Sequence, residues 1–176
     1  ELNFLDVEFE IAVQRMEEPG ADGADDVEFL ISTNPGESLK PLGRIASGGE
    51  LSRVMLAIKT VLADQDAIET VIFDEIDTGI SGRTAQKVSE KLALIGRSRQ
   101  VICITHLAQL ASMADSHYCI EKRAVDGSTQ TGIRLLDEQE SVEELARILG
   151  GAQITDAVID NAREMKKLAQ KFKAHR

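Results

Sequence analysis

The sequence is poor in aromatic side chains and in cations. Its 176 residues include no Trp, one Tyr and five Phe, and 20 Lys and Arg stand against 30 Asp and Glu, which gives a formal charge of −10. Base stacking needs exposed aromatic rings, and binding to phosphates needs clustered Lys and Arg. The composition therefore argues against a chain that coats nucleic acid by charge or stacking alone, and any contact with DNA must be local or come from other parts of the protein.

Cysteines and long apolar runs are also scarce. Cys103 and Cys119 are the two cysteines, and both lie in apolar runs typical of strands, so we expect reduced core residues and neither a disulfide framework nor a thiolate metal site. Nowhere does the sequence hold about 18 consecutive apolar residues or the pattern of a secretory signal. We therefore expect a cytoplasmic protein that makes no contact with membranes.

The length of 176 residues suits one domain with a sizeable core, and we treat residues 1–176 as a single lobe. The first residue, Glu1, is not Met and lies within a strand pattern, so we expect a piece of a longer protein. Alternating apolar residues over 5–13 and 27–31 predict an antiparallel strand pair. A helix is predicted from about 49 to 63, with an apolar stripe formed by Leu51, Met55, Ile58 and Leu62.

A β-α-β unit follows this helix. Continuous apolar runs over 70–73 and 101–104 predict strands that are buried on both faces, with an amphipathic helix over 83–95 between them. Further elements are predicted in the second half: strands over 118–121 and 132–136, a helix that begins at a capping box of Ser141 and Glu144 and ends at the glycine pair 150–151, and a last helix over 154–172. Together these patterns predict an α/β fold with a mainly parallel sheet, flanking helices and an antiparallel N-terminal strand pair.

Two acids stand at the end of the first strand of this unit. Asp74 and Glu75 directly follow the run over 70–73, and ligands of parallel α/β proteins gather at the carboxyl ends of strands. Asp74 suits Mg²⁺ held directly or through water, and Glu75 suits polarisation of an attacking water, as nucleotide hydrolysis requires. The alternative is a strand that simply exits into a solvated acidic turn.

A glycine-rich loop precedes the first helix. Gly48 and Gly49 let the backbone approach an anion, and a helix N-terminus offers unpaired N–H groups, so this loop can hold a phosphate. An ordinary N-cap, with Ser47 or Gly48 as the cap and Glu50 in the first turn, is the alternative. A P-loop is missing, because Gly43 and Gly48 have its glycine spacing but Gly49 and Glu50 stand where Lys and Ser or Thr are required. A complete ATP site therefore cannot be assembled from this chain alone.

Thr105 and His106 follow the second strand of the unit. Because a helix joins the two strands, their ends are expected to lie on one edge of the sheet, within reach of one ligand. His106 is suited to a hydrogen bond with a transferring γ-phosphate, although a lone His after a strand is also typical of a capping residue.

The triplet Asp77, Thr78 and Gly79 matches that of aspartic proteases. Their chemistry needs two facing copies on β-rich lobes, whereas this triplet occurs once, in a β-to-α turn, so we exclude that class. Asp77 is expected to shape the turn, and Ser81 is a candidate N-cap of the next helix.

The order of these motifs resembles the C-terminal lobe of the head of ABC-type ATPases. Within that superfamily, residues 45–53, 72–82 and 101–109 closely resemble the RecN family of bacterial DNA repair proteins, relatives of the SMC proteins. The resemblance runs from roughly 27 to 151. It implies an ATPase that acts in double-strand-break repair, uses ATP and Mg²⁺, and holds ATP between two heads.

The resemblance also implies roles for individual residues. Ser47, Gly48, Gly49 and Glu50 would form the signature loop on the ATP of the partner head. Asp74 would be the Walker B metal residue, Glu75 the catalytic base and His106 the switch histidine. Asp77, Thr78, Gly79 and Ser81 would belong to a D-loop over 77–82 that crosses the dimer interface, although many ABC proteins carry Asp where Ser81 stands.

The family's Walker A loop and coiled coil have no counterpart in this sequence. The resemblance therefore implies three partners, namely the protein's own N-terminal Walker A lobe, a second head, and DNA bound by the full-length protein, and it implies that the isolated chain is catalytically silent. Two alternatives stay open: a metal-dependent hydrolase that uses Asp74, Glu75 and Asp77, and a non-enzymatic module for DNA binding or dimerisation.

Overall fold

The structure is a computed structural model, and it describes residues 2, 4, 6–45, 47–62, 67–125 and 128–175. Thirteen elements follow one another in these ranges. In chain order they are β1 (Glu8–Gly20), β2 (Gly23–Ser32), β3 (Lys40–Pro41), a 3₁₀ turn (Leu42–Arg44), α1 (Gly48–Val61), β4 (Thr70–Phe73), α2 (Gly82–Ile95), β5 (Gln100–Cys103), α3 (Ala108–Ala111), β6 (Tyr118–Val125), β7 (Ser128–Leu135), α4 (Glu138–Gly150) and α5 (Asp156–Ala174).

The N-terminal strands form an antiparallel sheet in the order β1-β2-β3. Phe9 pairs with Ile31 and Ile11 pairs with Phe29, so the apolar residues of both strands share one face. The Phe9 and Phe29 rings stack on that face with their centroids 5.8 Å apart. The predicted strand pair is confirmed.

Strands β4 and β5 are parallel neighbours, and α2 forms the crossover between them. Phe73 from β4 packs with Leu56 of α1 and with Val88 and Ile95 of α2 in the main core. The β-α-β unit and the α/β class are confirmed.

Burial of these strands on both faces is wrong. Ile72 and its partner Ile102 point away from the main core, and they are 64% and 42% exposed. Among the described residues, the helices cover only the face that carries Phe73, so the alternate side chains of both strands stay bare.

Antiparallel strands β6 and β7 lead into two helices that pack on each other. Their shared core includes Leu145 and Ala146 of α4 and Ala162 of α5. Helix α4 begins one turn earlier than predicted: its capping box is formed by Asp137 and Glu140, while Ser141 is buried inside the helix.

The described part of the chain has no helix that is both long and apolar enough to cross a lipid bilayer.

Candidate functional site

The N-terminus of α1 is built around Ser47 and two glycines. Ser47 is the N-cap residue, and its Oγ accepts a hydrogen bond from the backbone N–H of Glu50 at 3.4 Å. A Cβ atom on Gly48 would overlap Glu75 Oε2, and one on Gly49 would lie 2.9 Å from the Glu75 carbonyl oxygen. The N-cap at Ser47, which was the alternative to a phosphate-holding loop, is therefore observed, and the close approach of the helix start to the backbone after β4 explains the need for glycine at Gly49.

The turn after β4 carries the predicted acidic pair. The Asp74 carboxylate accepts a hydrogen bond from the backbone N–H of Glu75 at 2.9 Å, and both side chains are exposed. Glu75 has a φ of 57°, in the left-handed region, where a residue with a Cβ is destabilised by roughly 1–3 kcal/mol. Its carbonyl accepts a hydrogen bond from the backbone N–H of Thr78 at 3.0 Å, which closes the turn. The strand therefore ends in two carboxylates, one of which lies against the glycine loop.

Helix α1 holds this turn through two consecutive side chains. Ser52 Oγ donates a hydrogen bond to the Asp74 carbonyl at 2.9 Å. Arg53 Nη1 donates to the carbonyls of Thr78 at 2.8 Å and Ile76 at 3.4 Å. The signature-like segment and the acidic turn are thus joined by side-chain to backbone hydrogen bonds within one lobe.

Arg53 is a site residue that the sequence motifs did not reveal. It is 3% exposed, and its guanidinium lies 5.6 Å from the centre of the Phe4 ring. Burial lowers the pKa of Arg53, and the neighbouring charge of Glu50 opposes that shift. The available signal was a cation inside an apolar helix, which by itself is also typical of a solvated side chain.

Asp77 joins the ends of the two parallel strands. It is 4% exposed, and its Oδ2 accepts hydrogen bonds from Thr105 Oγ1 at 2.6 Å and from the backbone N–H of His106 at 2.9 Å. The ring Nδ1 of His106 lies 3.0 Å from the same oxygen, while the side chain of His106 is 74% exposed. The expectation that both strand ends lie on one edge of the sheet is confirmed.

The rest of the predicted D-loop faces solvent. Thr78, Gly79 and Ser81 are exposed, and Gly79 has a φ of 73°. Ser81 occupies the N-cap position of α2, as predicted, but its hydroxyl makes no capping hydrogen bond. Buried Ile80 anchors the exposed loop to the main core.

Both cysteines are free thiols that are partly buried. Burial raises the pKa of Cys103 to about 12, and the charges of Asp77 and Asp74 add to this shift. Burial also raises the pKa of Cys119. Since the thiolate is the reactive form, Cys103 stays protonated and chemically inert beside the acids at neutral pH.

The geometry does not assemble a three-acid metal site. One carboxylate oxygen of Asp77 accepts hydrogen bonds from residues that follow β5, whereas Asp74 and Glu75 are exposed. Across the described residues, no three or more His, Cys, Asp or Glu side chains are grouped so that they could hold an ion together. A hydrolase whose metal is held by all three acids therefore finds no support here.

No family model matches the sequence. Among solved structures, the Smc head domain of Pyrococcus yayanosii, solved with a coiled coil and joint, superposes with a TM-score of 0.56 at 20% identity, over 82% of this chain and 26% of that one. This likeness shows that the chain has the fold of part of an SMC-type ATPase head.

Two similar sequences are DNA repair proteins named RecN. The protein from Halalkalibacterium halodurans is 49% identical over 153 residues, which cover 87% of this chain and 27% of that protein. The protein from Bacillus subtilis is 50% identical over 151 residues, which cover 86% of this chain and 26% of that protein. Over most of its length the chain is therefore closely similar to RecN proteins, and it spans about a quarter of the length of these relatives.

Proposed function

We propose that this chain forms one side of the ATP-binding and ATP-hydrolysing head of a RecN-type protein in DNA double-strand-break repair. The observation that supports this most directly is convergence at one edge of the parallel strands. The glycine loop before α1, the acids after β4 and His106 after β5 meet there through Arg53 and Asp77. The edge is the place where ligands bind to parallel α/β sheets.

The acids divide the chemistry between them. Asp74 offers an exposed carboxylate, and Mg²⁺ binds to such a group directly or through water together with phosphate oxygens. Glu75 accepts a proton from the attacking water and orients it. His106 presents an exposed ring at the neighbouring strand end, where it contacts the γ-phosphate.

The glycine loop acts on the ATP of a second head. Ser47 is the N-cap of a 14-residue helix that begins with Gly48, Gly49 and Glu50, and the N-terminus of a helix attracts anions. The exposed residues Thr78, Gly79 and Ser81 form the D-loop between the two heads.

The N-terminal Walker A lobe covers the bare face of the parallel strands. Ile72, Ile102 and Ile104 are exposed on that face, which is unusual for apolar residues that lie side by side. The matching RecN proteins are nearly four times as long as the matched segment, so there is chain to cover it. The full-length protein, with its coiled coil, binds DNA in the bacterial cytoplasm.

The test is Glu75→Gln in a longer protein that contains the Walker A lobe. Because the amide keeps the shape and loses the base, we expect ATP binding to stay within about twofold while kcat falls by roughly 10²–10⁴-fold. Steady-state ATPase assays and ATP titrations measure both quantities. Glu164→Gln, at an exposed position of α5, is the matched control and should keep the parent rate.

Two results would contradict the proposal. One is a longer protein whose kcat is indifferent to Glu75→Gln. The other is turnover of ATP by the 176-residue chain alone at the rate of the longer protein, since the chain has no lysine P-loop of its own.

A further inference from the structure

Asp77 is the one carboxylate among the described residues that is buried. A buried charge is stable only when hydrogen bonds replace its lost hydration. In Asp77 two such bonds come from the segment that follows β5, because the Thr105 hydroxyl and the backbone N–H of His106 donate to Oδ2 at 2.6 and 2.9 Å. The ring Nδ1 of His106 lies 3.0 Å from the same oxygen as an ion-pair contact. Its position leaves it turned toward its own lobe, whereas a D-loop contact would need it to face a second head.

The contact with the ring fixes the chemistry of His106. A carboxylate oxygen attracts an N–H group and repels a nitrogen lone pair, so the 3.0 Å contact with Oδ2 favours a proton on Nδ1 of His106. Nε2 then lies on the far side of the ring from Asp77. It accepts a hydrogen bond while the ring is neutral and donates one when the ring is charged.

We propose that Asp77 is a positioning residue that fixes the orientation and the Nδ1–H tautomer of His106, and that it contacts neither the nucleotide nor a second head. This inference rests on the proposed role of His106 at the γ-phosphate. Thr105 belongs to the same arrangement, because its hydroxyl donates to Asp77 and accepts the backbone N–H of Leu107 at 3.0 Å. The oxygen of Asp77 thereby holds both the ring and the backbone from which the ring extends.

The first test reads the tautomer in the 176-residue chain. With ¹⁵N in the histidine rings, two-bond ¹H–¹⁵N correlation spectra distinguish the tautomers, and His106→Gln assigns the signal among the three histidines. We expect wild-type His106 as the Nδ1–H form. Asp77→Ala should shift the ratio by roughly tenfold toward the Nε2–H form, since Nδ1 loses its contact with a charged group.

Two further variants keep this test sharp. Asp77→Asn retains one carbonyl acceptor for the β5 backbone, so it reports an intermediate ratio even where Asp77→Ala does not fold. Thr105→Val removes a different hydrogen bond to the same oxygen and should leave the ring in the Nδ1–H form. A tautomer ratio that both Asp77 variants leave unchanged would overturn the inference.

The second test measures coupling in the longer protein. Asp77→Asn should lower kcat by roughly tenfold with little change in KM for ATP, and adding it to His106→Gln should cause no further loss, because both act through one ring. Independent, multiplicative losses, or a large rise in KM, would show a separate contact of Asp77 and overturn the inference. A longer protein without ATPase would refute the proposed function alone, and the tautomer spectra would still decide the role of Asp77.

Discussion

Arg53 and Asp77 hold the turn between β4 and α2 from opposite sides. The guanidinium approaches from α1 and binds backbone carbonyls of the turn, while the carboxylate leaves the turn and binds the end of β5. Each buried charge therefore interacts with polar groups of another element, and neither depends on an ion pair with the other. Residues that are far apart in the chain become parts of one site through these two side chains.

His117 gives a pH-dependent contribution to stability. Its Nδ1 lies 2.8 Å from Ser141 Oγ, and burial, with the charge of Lys166, lowers the pKa of His117 below its usual 6.5, although Glu144 opposes the shift. The unfolded chain thus binds more protons, so this contribution is complete above pH 6.5 and is lost as the pH falls below it. We expect the midpoint of urea unfolding to fall between pH 7.5 and pH 5.5, and to fall by more for wild type than for His117→Asn.

His175 provides the control for this experiment. It is exposed near the C-terminus, and His175→Asn should retain the pH dependence of the wild-type chain. An equal change in urea midpoint with pH for wild type and His117→Asn would contradict the assignment to His117.

Single residues of the site differ in how far the sequence could predict them. Asp74, Glu75 and His106 follow apolar runs, so their place at strand ends was predictable from position alone. The position of Arg53 was not predictable, because the apolar stripe of Leu51, Met55, Ile58 and Leu62 predicted a different buried face of α1. The structure buries Arg53, Val54 and Leu56 instead. The carbonyls that Arg53 binds lie 23 and 25 residues further along the chain, and local spacing contains no information about them.

At the scale of elements, the stabilisation by the capping box of α4 can be tested by comparison with α5, whose N-cap residue makes no capping hydrogen bond. The Asp137 side chain accepts a hydrogen bond from the backbone N–H of Glu140 at 2.8 Å, and the Glu140 side chain accepts one from the backbone N–H of Asp137 at 2.9 Å. Asp137→Ala should lower the free energy of unfolding by about 0.5–2 kcal/mol, as measured by urea denaturation. Thr155→Ala should change it far less, because Thr155 is the N-cap of α5 but makes no capping hydrogen bond. Equal losses for both variants would contradict the role of the box.

Periodicity predicted the elements better than their ends or their burial. The strand at Thr70–Phe73 and the helix that ends at Ile95 match their predictions because apolar spacing and a following glycine mark them clearly. The start of α4 was missed because Asp137 with Glu140 and Ser141 with Glu144 both have the spacing of a capping box. Ser141 was excluded only by tertiary contacts, since its hydroxyl binds His117 and Lys166. A sequence pattern cannot choose between two such candidates when distant residues decide.

At the scale of the whole molecule, the parallel strands have one covered face and one bare face. Ile72→Thr should change the free energy of unfolding of this chain by no more than about 0.5 kcal/mol, because the side chain is exposed. Val71→Thr, on the face that packs against the main core, should lower it by about 1–3 kcal/mol. Urea denaturation measures both.

The Ile72→Thr variant also tests what covers the bare face. If the Walker A lobe packs there, Ile72→Thr should weaken binding of a separately produced Walker A lobe roughly tenfold, since a buried Ile side chain is replaced by a polar one. Binding that Ile72→Thr leaves intact would place the covering lobe elsewhere.

The left-handed backbone conformation of Glu75 creates a conflict between stability and activity, because the two favour different residues at this position. Glycine there would relieve the steric conflict of the turn and, in the same step, delete the carboxylate assigned to water activation. A laboratory selection for thermal stability alone, without a requirement for ATP hydrolysis, would favour glycine at position 75. The selected variants would be more stable and catalytically inactive. Whoever engineers the chain for robustness must keep position 75 fixed.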